Sequence, residues 1–161
     1  MPNHCYNVIT TNDDATDRKI AELLRGEGGQ LIDFEKVIPM PEELKGEVNE
    51  RGIFNFPNPD GEETDQGGVP ISLGLEFERK YDAKNWYEWR IKNWGSKWNA
   101  YSCEDIGNII PSFTTAWGPP EGILEKLSKL FPEFRLTCDY DIEMNEGGRL
   151  ELQDGNLVNV K

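Results

Sequence analysis

Apolar and polar positions change period several times along the chain, and each change predicts an element. Cys5 to Thr10 alternates, as a half-buried strand does. Thr11 and Asp14 then have the spacing of a helix capping box. Ile20, Leu23 and Leu24 form one apolar stripe, and Gly26, Gly28 and Gly29 end it. Leu31 to Ile38 predicts a second strand closed by Pro39 and Pro41. From Glu78 a helical pattern returns, with Tyr87, Ile91 and Trp94 on one face and Gly95 as its C-cap. Lys97 to Cys103 and Ile109 to Trp117 predict two strands around a turn at Gly107-Asn108. Pro119 and Pro120 open an amphipathic helix carrying Ile123, Leu124, Leu127, Leu130 and Phe131, and Pro132 ends it. Phe134 to Ile142 predicts a further strand. Gly147-Gly148 and Asp154-Gly155 then punctuate a final hairpin.

Residues 41–75 break the rhythm. Glu42, Glu43, Glu47 and Glu50 suggest a short acidic helix, and residues 57–70 mix prolines and glycines with Asp60, Glu62, Glu63 and Asp65, as an exposed loop does. The expected organisation is one domain, 1–161, with an insertion at about 41–96. Strand, helix, strand, insertion, strands, helix, strand is an α+β order. Its economical packing is a ferredoxin-like sandwich, an antiparallel sheet with both helices on one face and an extra C-terminal hairpin.

Charge changes the picture more than composition does. Seventeen basic residues face thirty acidic ones, a formal charge of −13, and mean hydropathy is −0.66. Such a surface repels phosphate backbones and attracts basic partners. Cys5, Cys103 and Cys138 are odd in number and widely spaced, which argues against a disulfide framework or a zinc knuckle. The opening Met1-Pro2-Asn3-His4 has no basic or apolar region of a secretory signal, and no run approaches about 18 apolar residues. A cytoplasmic protein that binds no membrane is expected.

All five tryptophans fall between residues 86 and 117. Trp86 and Trp89 lead into Asn93-Trp94-Gly95-Ser96-Lys97-Trp98-Asn99, and a second string follows at Thr115-Ala116-Trp117-Gly118-Pro119-Pro120. Together with the opening Met1-to-Asn7 string, Leu127-Ser128 and Phe131-Pro132, these strings resemble the YubB-type ferredoxin-like family of phage and conjugative-plasmid proteins. The resemblance implies a fold and a provenance, and it brings no catalytic residues with it. Trp89, Asn93, Trp94, Gly95, Lys97, Trp98, Trp117, Pro119 and Pro120 are accordingly expected as a structural motif. Exposed indoles at these positions would instead stack bases or anchor a partner.

Other chemistry is thinner. Arg79, Lys80, Lys84, Arg90, Lys92 and Lys97 interleave with aromatics, as on single-stranded nucleic-acid surfaces, or as on an ordinary helix whose lysines lie along an aromatic face. Asp139, Asp141 and Glu143 recur at period two, a face that would hold Mg²⁺ or Ca²⁺ or simply meet solvent. His4 is the only histidine, so Ser-His or Cys-His catalysis would run through it, and a processed Pro2 amine is the remaining nucleophile. No phosphate-binding or dinucleotide glycine signature occurs, and no cofactor or metal is expected.

The expected function is therefore non-enzymatic: an acidic accessory protein of a phage or plasmid that binds a basic host protein. Such a protein would antagonise a nucleic-acid-targeting defence, of anti-CRISPR or anti-restriction type, by mimicking nucleic acid. The acids expected to carry it are Glu42, Glu43, Glu47, Asp60, Glu62, Glu63, Asp65, Asp139 and Asp141. The alternatives are a nucleic-acid-binding module using 79–98 and a small enzyme using Pro2 or a carboxylate-bound metal.

Overall fold

The alternation at the N-terminus becomes a central strand. In the computed structural model, which describes residues 3–159, β1 (His4–Thr10) buries Cys5, Asn7 and Ile9 and turns His4, Tyr6, Val8 and Thr10 to the other face. It lies between β5 (Ser112–Ala116) and β6 (Leu136–Ile142). Outside β5 runs β4 (Tyr101–Glu104), and beyond β6 run β7 (Gly148–Gln153) and β8 (Asn156–Asn159). The order is β4-β5-β1-β6-β7-β8, with every pair antiparallel. Helix α1 (Asp14–Leu24) follows β1, and a second long amphipathic helix (Glu121–Leu130, the fourth in the chain) joins β5 to β6. That is a ferredoxin-like fold with a β7–β8 hairpin added at one edge.

Burial explains the pairing. Ile9, Phe113, Leu136 and Cys138 of the sheet, Ile20 and Leu24 of α1, and Ile123, Leu124 and Leu127 of the Glu121–Leu130 helix are each at most 1% exposed. Each such aliphatic or aromatic side chain contributes about 1.5–3 kcal/mol on leaving water. Asn7 is buried among them and satisfied: its Nδ2 donates to Cys5 O, Phe113 O and Thr115 Oγ1.

The chain folds as two compact units, Met1–Pro39 with Trp94–Lys161, and Met40–Asn93. The sheet belongs to the first. The second begins with a 3-10 turn at Glu42–Lys45 and a two-residue hairpin, β2 (Glu47–Val48) with β3 (Phe54–Asn55). Helices α2 (Ile71–Tyr81) and α3 (Trp86–Asn93) complete it, with Leu44, Val69 and Phe77 buried. The Glu121–Leu130 helix is therefore α4.

Several expected elements differ. Residues 31–38 form no strand; they hold a 3-10 turn at Phe34–Lys36. Ile32 and Phe34 alternate and are buried, but the Asp33 carboxylate accepts from Glu35 N, and Val37 N and Ile38 N both bond back to Phe34 O. These local bonds occupy groups that a ladder needs. The capping box is also displaced. Asp13 is the N-cap, accepting from Thr16 N at 3.0 Å, while Thr11 and Thr10 donate to buried Asp17. The helix expected from Glu78 starts earlier, at Ile71, and breaks at Asp82, which has φ +56°. Trp94 consequently lies beyond α3, not on its face. The strand expected from Lys97 starts only at Tyr101.

Candidate functional site

The two tryptophan strings meet where the second one leads into α4. Trp94 is fully buried, donates from Nε1 to Ile38 O at 2.8 Å and stands edge-on to Phe34. Its carbonyl accepts from Gly122 N (3.1 Å) and Ile123 N (3.3 Å). It thus caps the start of α4, where Pro120 offers no side-chain cap. Gly95 has φ +79°, and a Cβ there would lie 2.7 Å from Glu121 N, so only glycine fits against the helix entry that Pro119 and Pro120 set. Asn99 ties the string down further, accepting from Phe34 N and donating to Asp33 Oδ1. In the second unit, Asn93 Nδ2 closes the end of α3 on Trp89 O, and Trp89 is 6% exposed.

Trp98 and Trp117 are different. They are 37% and 46% exposed, and the Lys97 ammonium lies 4.2 Å from the Trp98 ring centroid and 4.3 Å from that of Trp117. Trp117 has φ +69°, which for a bulky residue costs on the order of 1–3 kcal/mol. Its N–H donates to Asn3 O, and Thr115 Oγ1 donates to Gly118 O at 2.6 Å, fixing the turn. From Trp98 the aromatic run continues to Tyr101 (centroids 6.1 Å) and to His4 (5.5 Å), and His4 Nδ1 and the Tyr101 hydroxyl share a 2.5 Å hydrogen bond. Burial, then the Cys5 and Glu143 charges, raise the Tyr101 phenol above its ordinary pKa.

Tyr6, 39% exposed, sits in register between Thr114 of β5 and Asp141 of β6. Asp141 is exposed; Asp139 receives both Nε (2.7 Å) and Nη2 (3.1 Å) of Arg149 across the β6–β7 pair. Glu143 lies past the end of β6, and no group of three His, Cys, Asp or Glu among the described residues is gathered to hold a metal ion. The Pro2 amine lies outside the described residues. Cys5 and Cys138 are buried, and burial pushes the Cys5 thiol up to about 11 and raises that of Cys138.

The other seven acids lie in the second unit. Glu42 pairs with Lys45, and Glu43 accepts from the Tyr81 hydroxyl (2.6 Å) and Lys80, bonds that hold its carboxyl below the usual range. Glu62 accepts from Ser72 N and Oγ at the start of α2. Asp65 closes its own turn on Gly67 N and Val69 N and accepts from Asn85 Nδ2. Glu47, Asp60 and Glu63 are exposed. The basic residues of 79–92 are largely matched locally: Lys80 with Glu43 and Glu76, Lys84 with Glu78, Lys92 with Asp82, while Arg90 stacks over Trp86.

Nothing in the sequence joins Tyr6, His4 and Tyr101 into one surface, because Tyr101 comes beside them only through the β1–β5–β4 pairing. For Tyr6 a signal existed, since alternation puts it opposite buried Cys5 and Asn7.

Residues 97–161 match the family model of the ferredoxin-like domain in Api92-like protein. This part of the chain is similar to that domain. The match begins at Lys97 and spans Trp98, Trp117, α4 and strands β4 to β8, less than half of the chain. No curated protein and no solved structure matches the chain. No helix among the described residues is long and apolar enough to cross a membrane.

Proposed function

We propose that the protein is a non-catalytic accessory protein of a phage or plasmid that docks through its acidic surface on a basic face of a host protein, one whose own ligand is nucleic acid. The observation that carries this reading is the −13 charge of a 161-residue chain. Of the nine acids to which the sequence points, Glu47, Asp60 and Glu63 in the second unit and Asp141 in the first are exposed, whereas Glu42, Glu43, Glu62, Asp65 and Asp139 serve local bonds. Exposed Tyr6, Trp98 and Trp117 supply aromatic anchors of the kind that dominate protein interfaces. Occupying a phosphate-binding face would block a defence that acts on nucleic acid, and the resemblance to phage and plasmid proteins gives that outcome a beneficiary.

The test uses the partner captured from host extract and then purified. The combined variant Glu47→Lys, Asp60→Lys, Glu63→Lys and Asp141→Lys is expected to weaken binding by about tenfold or more, mainly through slower association. Unchanged affinity would contradict the proposal, as would tight binding of labelled single-stranded DNA or RNA by the wild-type protein.

A further inference from the structure

Two exposed indoles within cation–π distance of one ammonium form the kind of arrangement that proteins use to recognise cationic groups. In this chain the cation between Trp98 and Trp117 is the protein's own Lys97, at 4.2 and 4.3 Å from the two centroids. The backbone is strained to build the pair: Trp117 occupies φ +69°, held there by its bond to Asn3 O and by the Thr115–Gly118 bond. Packing needs no such device, since Trp94 satisfies the core with its ring wholly buried. Strain that turns a large apolar ring outward is characteristic of a binding position.

We infer that Trp98 and Trp117 form a clamp for an arginine side chain of a protein partner, and that Lys97 is its resident occupant until the partner docks. The inference rests on the basic partner proposed above and names the contact that such a partner makes. Charge complementarity selects the occupant, because the clamp belongs to a chain of charge −13 and its neighbour in the aromatic run, Tyr101, lies within the influence of Glu143. Shape selects arginine over lysine. A guanidinium is planar, weakly hydrated and stacks flat on an indole, whereas a lysine ammonium is a compact, strongly hydrated point charge. Lys97 is half-buried, and a docking guanidinium competes with its ammonium for the same two rings.

The experiment titrates the full chain with the capped peptide Gly-Arg-Gly at millimolar concentration, and with its uncharged citrulline counterpart. Binding is read from the indole Nε1–H NMR signals, assigned with Trp98→Phe and Trp117→Phe. Saturable shifts at Trp98 and Trp117 are expected with the arginine peptide only. Lys97→Ala should tighten that binding by about twofold or more, because it vacates both rings. Lys126→Ala, which makes the same charge change at an exposed position of α4, sets the electrostatic baseline. Trp98→Ala should remove the effect, and because Trp98 is exposed the variant is expected to fold; its dispersed NMR spectrum checks this. A gain for Lys97→Ala no larger than for Lys126→Ala overturns the clamp, as do shifts confined to Trp86, Trp89 or Trp94. Salt-dependent peptide binding that leaves the Trp98 and Trp117 signals unmoved overturns the clamp but leaves acidic docking standing. Acid-independent affinity for the captured partner, with the clamp signals intact, overturns docking alone.

Discussion

Trp94 precedes Gly95 and Trp117 precedes Gly118, yet the two rings end in opposite environments. Both dipeptides read alike in the sequence. What separates them is backbone: after Trp94 the glycine takes the left-handed conformation, whereas at the second site Trp117 itself takes it. No residue pattern announces a bulky side chain at positive φ, so the exposure of Trp117 was not legible. The stability consequences are unequal. Trp94→Ala should cost about 3–5 kcal/mol in urea denaturation, and the exposed Trp98→Ala about 1 kcal/mol or less. Gly95→Ala, forced into φ +79° with its Cβ against Glu121 N, should cost about 1–3 kcal/mol by the same measurement. Thiol chemistry offers a separate check. A thiol reagent at pH 8 should modify Cys103, which is partly exposed, and leave Cys5 and Cys138 unreacted until denaturant is added. Rapid reaction of all three in the native state would contradict the burial of the strand thiols.

Elements were easier to read where one side is buried and the period is long. β1 and α4 came through because Cys5, Asn7 and Ile9 alternate and because Ile123, Leu124 and Leu127 share a helical stripe. Residues 31–38 misled for the same reason: Ile32 and Phe34 alternate and are buried, but Asp33 spends the local backbone on a turn, and β4 takes the strand position beside β5. Helix α1 carries a pH dependence of known sign. The Thr16 hydroxyl and N–H hold the Asp13 carboxyl below its ordinary value of 3.8. Its folded-state pKa is therefore depressed, so its stabilisation is complete above 3.8 and is lost as pH falls through the lower folded value. Denaturation of wild type and Asp13→Ala across pH should show a gap that is widest near neutrality and closes in acid. A gap independent of pH would place the stabilisation elsewhere than in the ionised cap.

At the scale of the molecule, net charge was legible but its distribution was not. Glu43 could not be matched to Lys80 and Tyr81, nor Asp139 to Arg149, without the fold that brings them together. Of the nine acids to which the sequence points, Glu47, Asp60, Glu63 and Asp141 are exposed and Glu62, Asp65 and Asp139 are half-buried in local bonds. The sheet's order and register use only residues of the first compact unit. Replacing 40–93 with a short Gly/Ser linker should therefore keep a cooperatively unfolding sheet, with the Trp94–Ile38 bond holding the joined ends near each other. Loss of a cooperative urea transition would contradict that autonomy.

If acidic charge drives recognition of a basic protein face, affinity depends on ionic strength. Exposed charges are screened within about 10 Å at 0.1 M salt, so electrostatic docking weakens as salt rises. The decisive quantity is the dissociation constant for the purified partner across a salt series. Affinity should fall steadily from low to high salt. An affinity that stays flat across the series would contradict it.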